Sequence, residues 1–163
     1  MPIAGGSSQP GGVDAEFLGD HTQGLFYLSF EQEDPAQLAA MGLGPLTFGA
    51  PGSTVPLWNI EYDGSFSGGL RLTFGYDPSL LAGVDINRLH IYHWHNGAWE
   101  DLGGNFDLAG GTVTVDTDSL SPFALGVSAV PEPDGWALMV GGLGVLVWRS
   151  KRRLAKTTSA LLT

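Results

Sequence analysis

"RLHIYHWHNGAWEDL", Arg88–Leu102, decides the fold class. Asn96-Gly97 sits between two apolar, aromatic-rich flanks. Both residue types tolerate positive φ, so the pair predicts a two-residue type I′ turn joining antiparallel strands. In that register His95 faces Ala98, Trp94 faces Trp99, and Ile91 faces Leu102. Trp94 and Trp99 then form a close non-hydrogen-bonded pair, contributing roughly 0.2–1 kcal/mol over an Ala–Ala pair.

The same period of two recurs on either side of the hairpin. Phe26, Leu28 and Phe30 alternate with Tyr27 and Ser29. Trp58, Ile60 and Tyr62 share one face of "LWNIEY", and Leu70, Leu72 and Phe74 share one face of "LRLTF". Val113 and Val115 point inward in "TVTVD", as do Phe123, Leu125 and Val127 in "PFALGV". Alternation of this kind marks half-buried strands. "DPAQLAAMG" carries Asp34 as N-cap, Pro35 at the first helical position and Gly42 as the stop; "DPSLLAG" repeats the device at Asp77, Pro78 and Gly83. The 25 glycines and 10 prolines favour turns over long helices. The expected fold class is mainly β: an antiparallel β-sandwich over residues 25–129 with one or two short helices. Residues 1–24, rich in Gly, Ser and Pro, are expected to be a flexible N-terminal segment.

Charge narrows the partners. The formal net charge is -10, but five of the seven bases lie between Arg149 and Lys156. Residues 1–130 hold two bases against fifteen acids. Such a body repels nucleic acid, so no nucleic-acid partner is expected. The absence of Cys excludes disulfides, thiolate metal ligands and a Cys nucleophile.

Three constellations in the body carry possible chemistry. His93 and His95 share a strand face, and Glu100 lies opposite His93; together they make a conceivable metal triad, while His90 points the other way. The plain alternative is polar decoration of a half-exposed hairpin, and no metal site is assigned. Asp116, Asp118 and the Tyr62–Ser65 turn offer oxygens for calcium, yet no complete calcium loop is present and Asp favours turns for local reasons. Trp58, Trp94, Trp99 and Tyr92 beside acids could stack on sugars, against the alternative of sheet packing. No nucleophile elbow, zinc-protease, dinucleotide or phosphate-loop motif occurs. The chain is therefore read as non-enzymatic, with no catalytic residue and no cofactor.

The C-terminal stretch "VPEPDGWALMVGGLGVLVWRSKRR", Val130–Arg153, has a different character. The apolar run Trp136–Trp148 covers about 20 Å as a helix, against a bilayer core of about 30 Å. Its three Leu and three Val contribute roughly -2 to -4 kcal/mol to insertion, a weak membrane preference. Trp136 and Trp148 suit the two interfaces, with Leu138, Met139, Leu143 and Leu146 between them. Arg149, Lys151, Arg152 and Arg153 would stop transfer and keep the end cytoplasmic. A core helix is disfavoured by four bases in five residues, and an in-plane helix by the lack of a charged face. A single transmembrane helix over 135–148 is expected.

These residues resemble the PEP-CTERM sorting signal of Gram-negative bacteria. Val130, Pro131, Glu132 and Pro133 match the motif that names it. Ala137, Leu138, Met139, Gly142, Leu143 and Gly144 match the helix, and Arg149, Lys151, Arg152 and Arg153 match its basic end. The resemblance implies export, transient residence in the inner membrane with the body periplasmic, and recognition by an exosortase. That enzyme is a membrane-embedded, cysteine-protease-like transpeptidase. Release to the cell envelope, outer surface or medium follows, in bacteria that build exopolysaccharide and biofilm matrix. The implied partners are the exosortase, inner-membrane lipid through the tail, and exopolysaccharide. Residues 130–156 would then be the sorting tail and 157–163 a disordered end. "MPIAGGSSQPGG" has neither a basic n-region nor an apolar h-region, so an export signal is expected upstream of Met1 in the natural precursor. The leading expectation is a structural or adhesive envelope protein; the alternative is a carbohydrate- or calcium-binding surface module.

Overall fold

Alternating apolar and polar residues build ten strands, all paired antiparallel, among the described residues of the computed structural model. It describes residues 2–44, 46, 48, 53–120 and 122–127, all within the unit Met1–Ala129. The first sheet runs β1 (Pro2–Ala4), β2 (Val13–Phe17), β5 (Leu70–Gly75), β9 (Thr112–Thr117) and β8 (Asn105–Asp107) from edge to edge. The second runs β3 (Phe26–Glu33), β4 (Val55–Tyr62), β10 (Phe123–Gly126), β6 (His90–His95) and β7 (Ala98–Gly103). The described residues are mainly β with little helix, as the alternation predicts.

The inward rows of the two sheets meet. Trp58 of β4 packs 4.9 Å from Phe74 of β5, and Phe74 lies 5.5 Å from Phe123 of β10. Leu70, Leu72, Val113, Ile60, Ile91 and Leu125 are fully buried beside them. Burial of such side chains, roughly 1.5–3 kcal/mol each, drives the two sheets together. Trp58 also donates its indole N–H to the Gly11 carbonyl at 3.1 Å, so no polar atom of the ring is left dry and unpaired.

The hairpin follows its sequence signal through four residue pairs. Asn96 and Gly97 adopt φ of 50° and 78°, as a type I′ turn needs. His95 faces Ala98, Trp94 faces Trp99, and His93 faces Glu100. The two tryptophans meet edge to face at 5.2 Å and 71°. The Trp94 backbone N–H turns away from β7 and donates to the Pro122 carbonyl at 2.9 Å, as a non-hydrogen-bonded pairing across the hairpin requires. Beyond Tyr92 the expected register fails. Ile91 pairs with Gly103, not Leu102, because a bulge inserts one residue into β7. Asp101 holds that bulge: one carboxylate oxygen accepts the Gly103 N–H at 2.8 Å, and the other bonds the His90 ring nitrogen at 2.7 Å.

The short helix α1 (Pro35–Ala40) also forms where its caps place it. The Asp34 carboxylate accepts the Ala36 and Gln37 N–H groups, and the Gln37 side chain accepts the Asp34 N–H, completing a capping box. Gly42 donates to the Ala39 carbonyl and Leu43 to the Leu38 carbonyl, so the last turn closes as a Schellman motif. "DPSLLAG" forms only a 3-10 turn, Pro78–Leu81, and a second turn spans Ile86–Arg88.

One expectation is overturned. Of the segment expected to be flexible, the described residues 2–24 are built into the fold, since β2 is an interior strand with Val13 and Ala15 buried. The glycines preceding it serve close packing. Gly11 sits at φ 82° and donates to the Gly75 carbonyl at 2.8 Å, while Gly75 donates to the Gly12 carbonyl at 2.9 Å. A Cβ on Gly12 would fall 1.7 Å from the Gly6 carbonyl oxygen.

Candidate functional site

The outward rows of β3 and β4 make a grooved surface. Their ladder pairs Tyr27 with Glu61, Ser29 with Asn59, and Glu31 with Leu57. A groove of about 220 Å³ is lined by Tyr27, Leu28, Ser29, Asn59 and Glu61. A second, of about 270 Å³, is lined by Ser29, Glu31, Leu57 and Asn59, with Met41 from beyond α1 and Pro122 from before β10. Ser29 and Asn59 belong to both, so the two form one trough along the strands.

The trough has an aromatic end and an acidic end. Tyr27 is 54% exposed, and its hydroxyl donates to Asp63 at 3.5 Å. Asp63 is itself fixed, because its other oxygen accepts the Leu25 N–H at 2.6 Å. At the far end Glu31 and Glu33 share one face of β3. Hydrogen bonding of its protonated form to the Glu31 carboxylate, followed by burial, raises the Glu33 carboxyl above the usual carboxylate range.

The histidines do not assemble a site. His93 is buried and stacks on Phe123 at 4.6 Å, with His95 5.6 Å away. His90 lies on the opposite face with Asp101. Among the described residues no group of three or more His, Asp or Glu side chains converges as metal ligands. Burial lowers the His93 pKa below its ordinary value of 6.5; His95 adds to this, and Glu100 and Asp118 oppose it. The unfolded chain therefore takes up a proton near 6.5 where the folded chain does not. Stability should be constant in this term above that pH and fall as the pH drops through it. Urea midpoints measured on either side of pH 6.5 check this, and His93→Phe should flatten the difference.

The aspartates of the suspected calcium turns are already engaged. Arg71 bonds both Asp116 carboxylate oxygens, at 2.9 and 3.1 Å, and Asp118 accepts the Ser119 hydroxyl at 3.3 Å. Asp63 holds the start of β3. Arg71 and Asp116 also border an open groove of about 630 Å³ with Leu102, Asn105 and Thr114.

Of the aromatic candidates for sugar stacking, Trp58 and Tyr92 are core residues, with 0% and 4% exposure. Trp94 and Trp99 are half-buried under the loop after α1, where Trp99 donates to the Gly44 carbonyl at 2.8 Å. Tyr27 takes their place as the exposed ring. Its outward position was legible in the β3 alternation; its alignment with Asn59 and Glu61 depends on a long-range register that local spacing does not show.

The residues singled out near the C-terminus lie outside the described residues. These are Val130–Pro133, the apolar positions Trp136, Leu138, Met139, Leu143, Leu146 and Trp148, and the bases Arg149, Lys151, Arg152 and Arg153. Among the described residues no helix is long and apolar enough to cross a membrane. Comparison with protein-family models, curated proteins and solved structures finds no match to the chain.

Proposed function

We propose that the chain is an exported bacterial cell-envelope protein with a C-terminal exosortase sorting signal. Its acidic β domain serves as a structural or adhesive component of the exopolysaccharide matrix. The observation that carries this reading is the order of three parts in Val130–Arg153: Pro-Glu-Pro, a short apolar run, and a basic cluster. Proline at 131 and 133 disfavours helix and regular ladder bonding, which would suit the motif to recognition as an extended segment. The apolar run is weak enough for a temporary anchor. A structural role is favoured over calcium binding at the Asp-rich turns, because Asp116 is committed to Arg71 and the buried aromatics to packing.

Replacing Pro131, Glu132 and Pro133 together with alanine tests the motif. In a host that has the exosortase, the native chain should leave the inner-membrane fraction and the triple variant should remain there. Equal distribution of the two would remove the motif from the account.

A further inference from the structure

We propose that the trough over β3 and β4 binds a hexose polysaccharide carrying no acid groups. The inference rests on the matrix reading for its setting and on the trough for its chemistry. Tyr27 presents an exposed ring held by Asp63, a flat surface for the C–H face of a pyranose. Asn59 and Ser29, paired in the middle row, both donate and accept, as sugar hydroxyls do. Glu61 and Glu31 flank that row and accept from hydroxyls or from a sugar amine. Among the described residues no base lines either groove, so a uronate or sulfated polymer would meet carboxylates uncompensated. Leu57 gives the acidic end an apolar floor.

The shape points to a chain and not a single sugar. Three cross-strand rows, each about 6.8 Å from the next, make an open trough of roughly 14 Å. The eight-pair ladder between β3 and β4 holds these groups in place before a ligand arrives, which lowers the entropic cost of binding. A basic peptide would also pair with the two glutamates, and the test carries it as the competing occupant.

The test is calorimetric titration of the full chain in detergent with cello-, chitosan and alginate oligosaccharides, and with oligolysine. The neutral and amine-bearing oligosaccharides should bind, and alginate should not. Tyr27→Ala and Asn59→Ala should each weaken binding about tenfold, with unchanged thermal melting, while Thr114→Ala on the other sheet should have no effect. Failure of both non-acidic oligosaccharides to bind would overturn the proposal, as would alginate binding equally well or full affinity in both trough variants. Binding of oligolysine alone would also overturn it, by assigning the trough to a basic peptide. None of these outcomes bears on C-terminal processing, which is read separately by the fate of the tail.

Discussion

Trp58→Ala should lower the unfolding free energy by about 3–5 kcal/mol, the range for truncating a buried large aromatic. Three contacts set that size. The indole lies 5.3 Å from Phe30 and 4.9 Å from Phe74, so it touches its own sheet and the facing one. It also ties the N-terminal segment to the core through the Gly11 carbonyl. Trp58→Phe separates these effects. It keeps most of the apolar volume, loses the hydrogen bond, and should cost less, with about 1–3 kcal/mol coming from the unpaired carbonyl. Urea denaturation followed by far-UV circular dichroism measures both. A Trp58→Ala loss below that of Trp58→Phe would contradict the packing described.

Gly12→Ala should be the most damaging single methyl addition in the N-terminal segment. The new carbon would sit 1.7 Å from the Gly6 carbonyl oxygen and 3.0 Å from the Ala4 carbonyl oxygen. Both are backbone atoms, so no side chain can swing aside. Overpacking of this kind costs about 3 kcal/mol or more. Gly97→Ala is the informative control. Gly97 has φ 78°, but an added methyl there would meet nothing within 4 Å, so only left-handed strain remains, about 1–2 kcal/mol. If residues 1–24 were a free tail, Gly12→Ala would instead be nearly silent. Equilibrium denaturation of the two variants side by side decides between steric contact and free chain.

The elements legible in the sequence are those whose signals are local. Asn96-Gly97 fixes the turn, and the flanking alternation fixes the first four pairs of β6 and β7. Asp34, Pro35 and Gly42 mark both ends of α1 within nine residues. The signals break down where side-chain roles depend on distant partners. Leu102 is displaced from its expected pair by a bulge that Asp101 and His90 stabilise together. The segment Val13–Phe17 does alternate, with Val13 and Ala15 buried, but glycine-rich surroundings mask it. Those glycines permit close backbone approach, a use that composition cannot distinguish from looseness. β8 is three residues long, too short for any period to register. Trp58 and Tyr92 combine aromatic surface with nearby acids, yet burial removes them from solvent; Tyr27, on the outward row, keeps that combination accessible.

The same division applies to function. The trough needs strand register to appear, because Tyr27 and Glu61 are far apart in the chain. The sorting reading needs no register at all. Its parts follow one another within Val130–Arg153, and each has a separate physical reason: extended motif, weak insertion, and retained positive charge.

The most direct measurement is intact-mass and C-terminal peptide spectrometry of the full chain, expressed behind an export signal in a host with its exosortase and in the same host without it. A shortened product lacking residues 136–163 is expected only where the enzyme is present, and a chain intact through Thr163 where it is absent. Persistence of residues 136–163 in both hosts would contradict it.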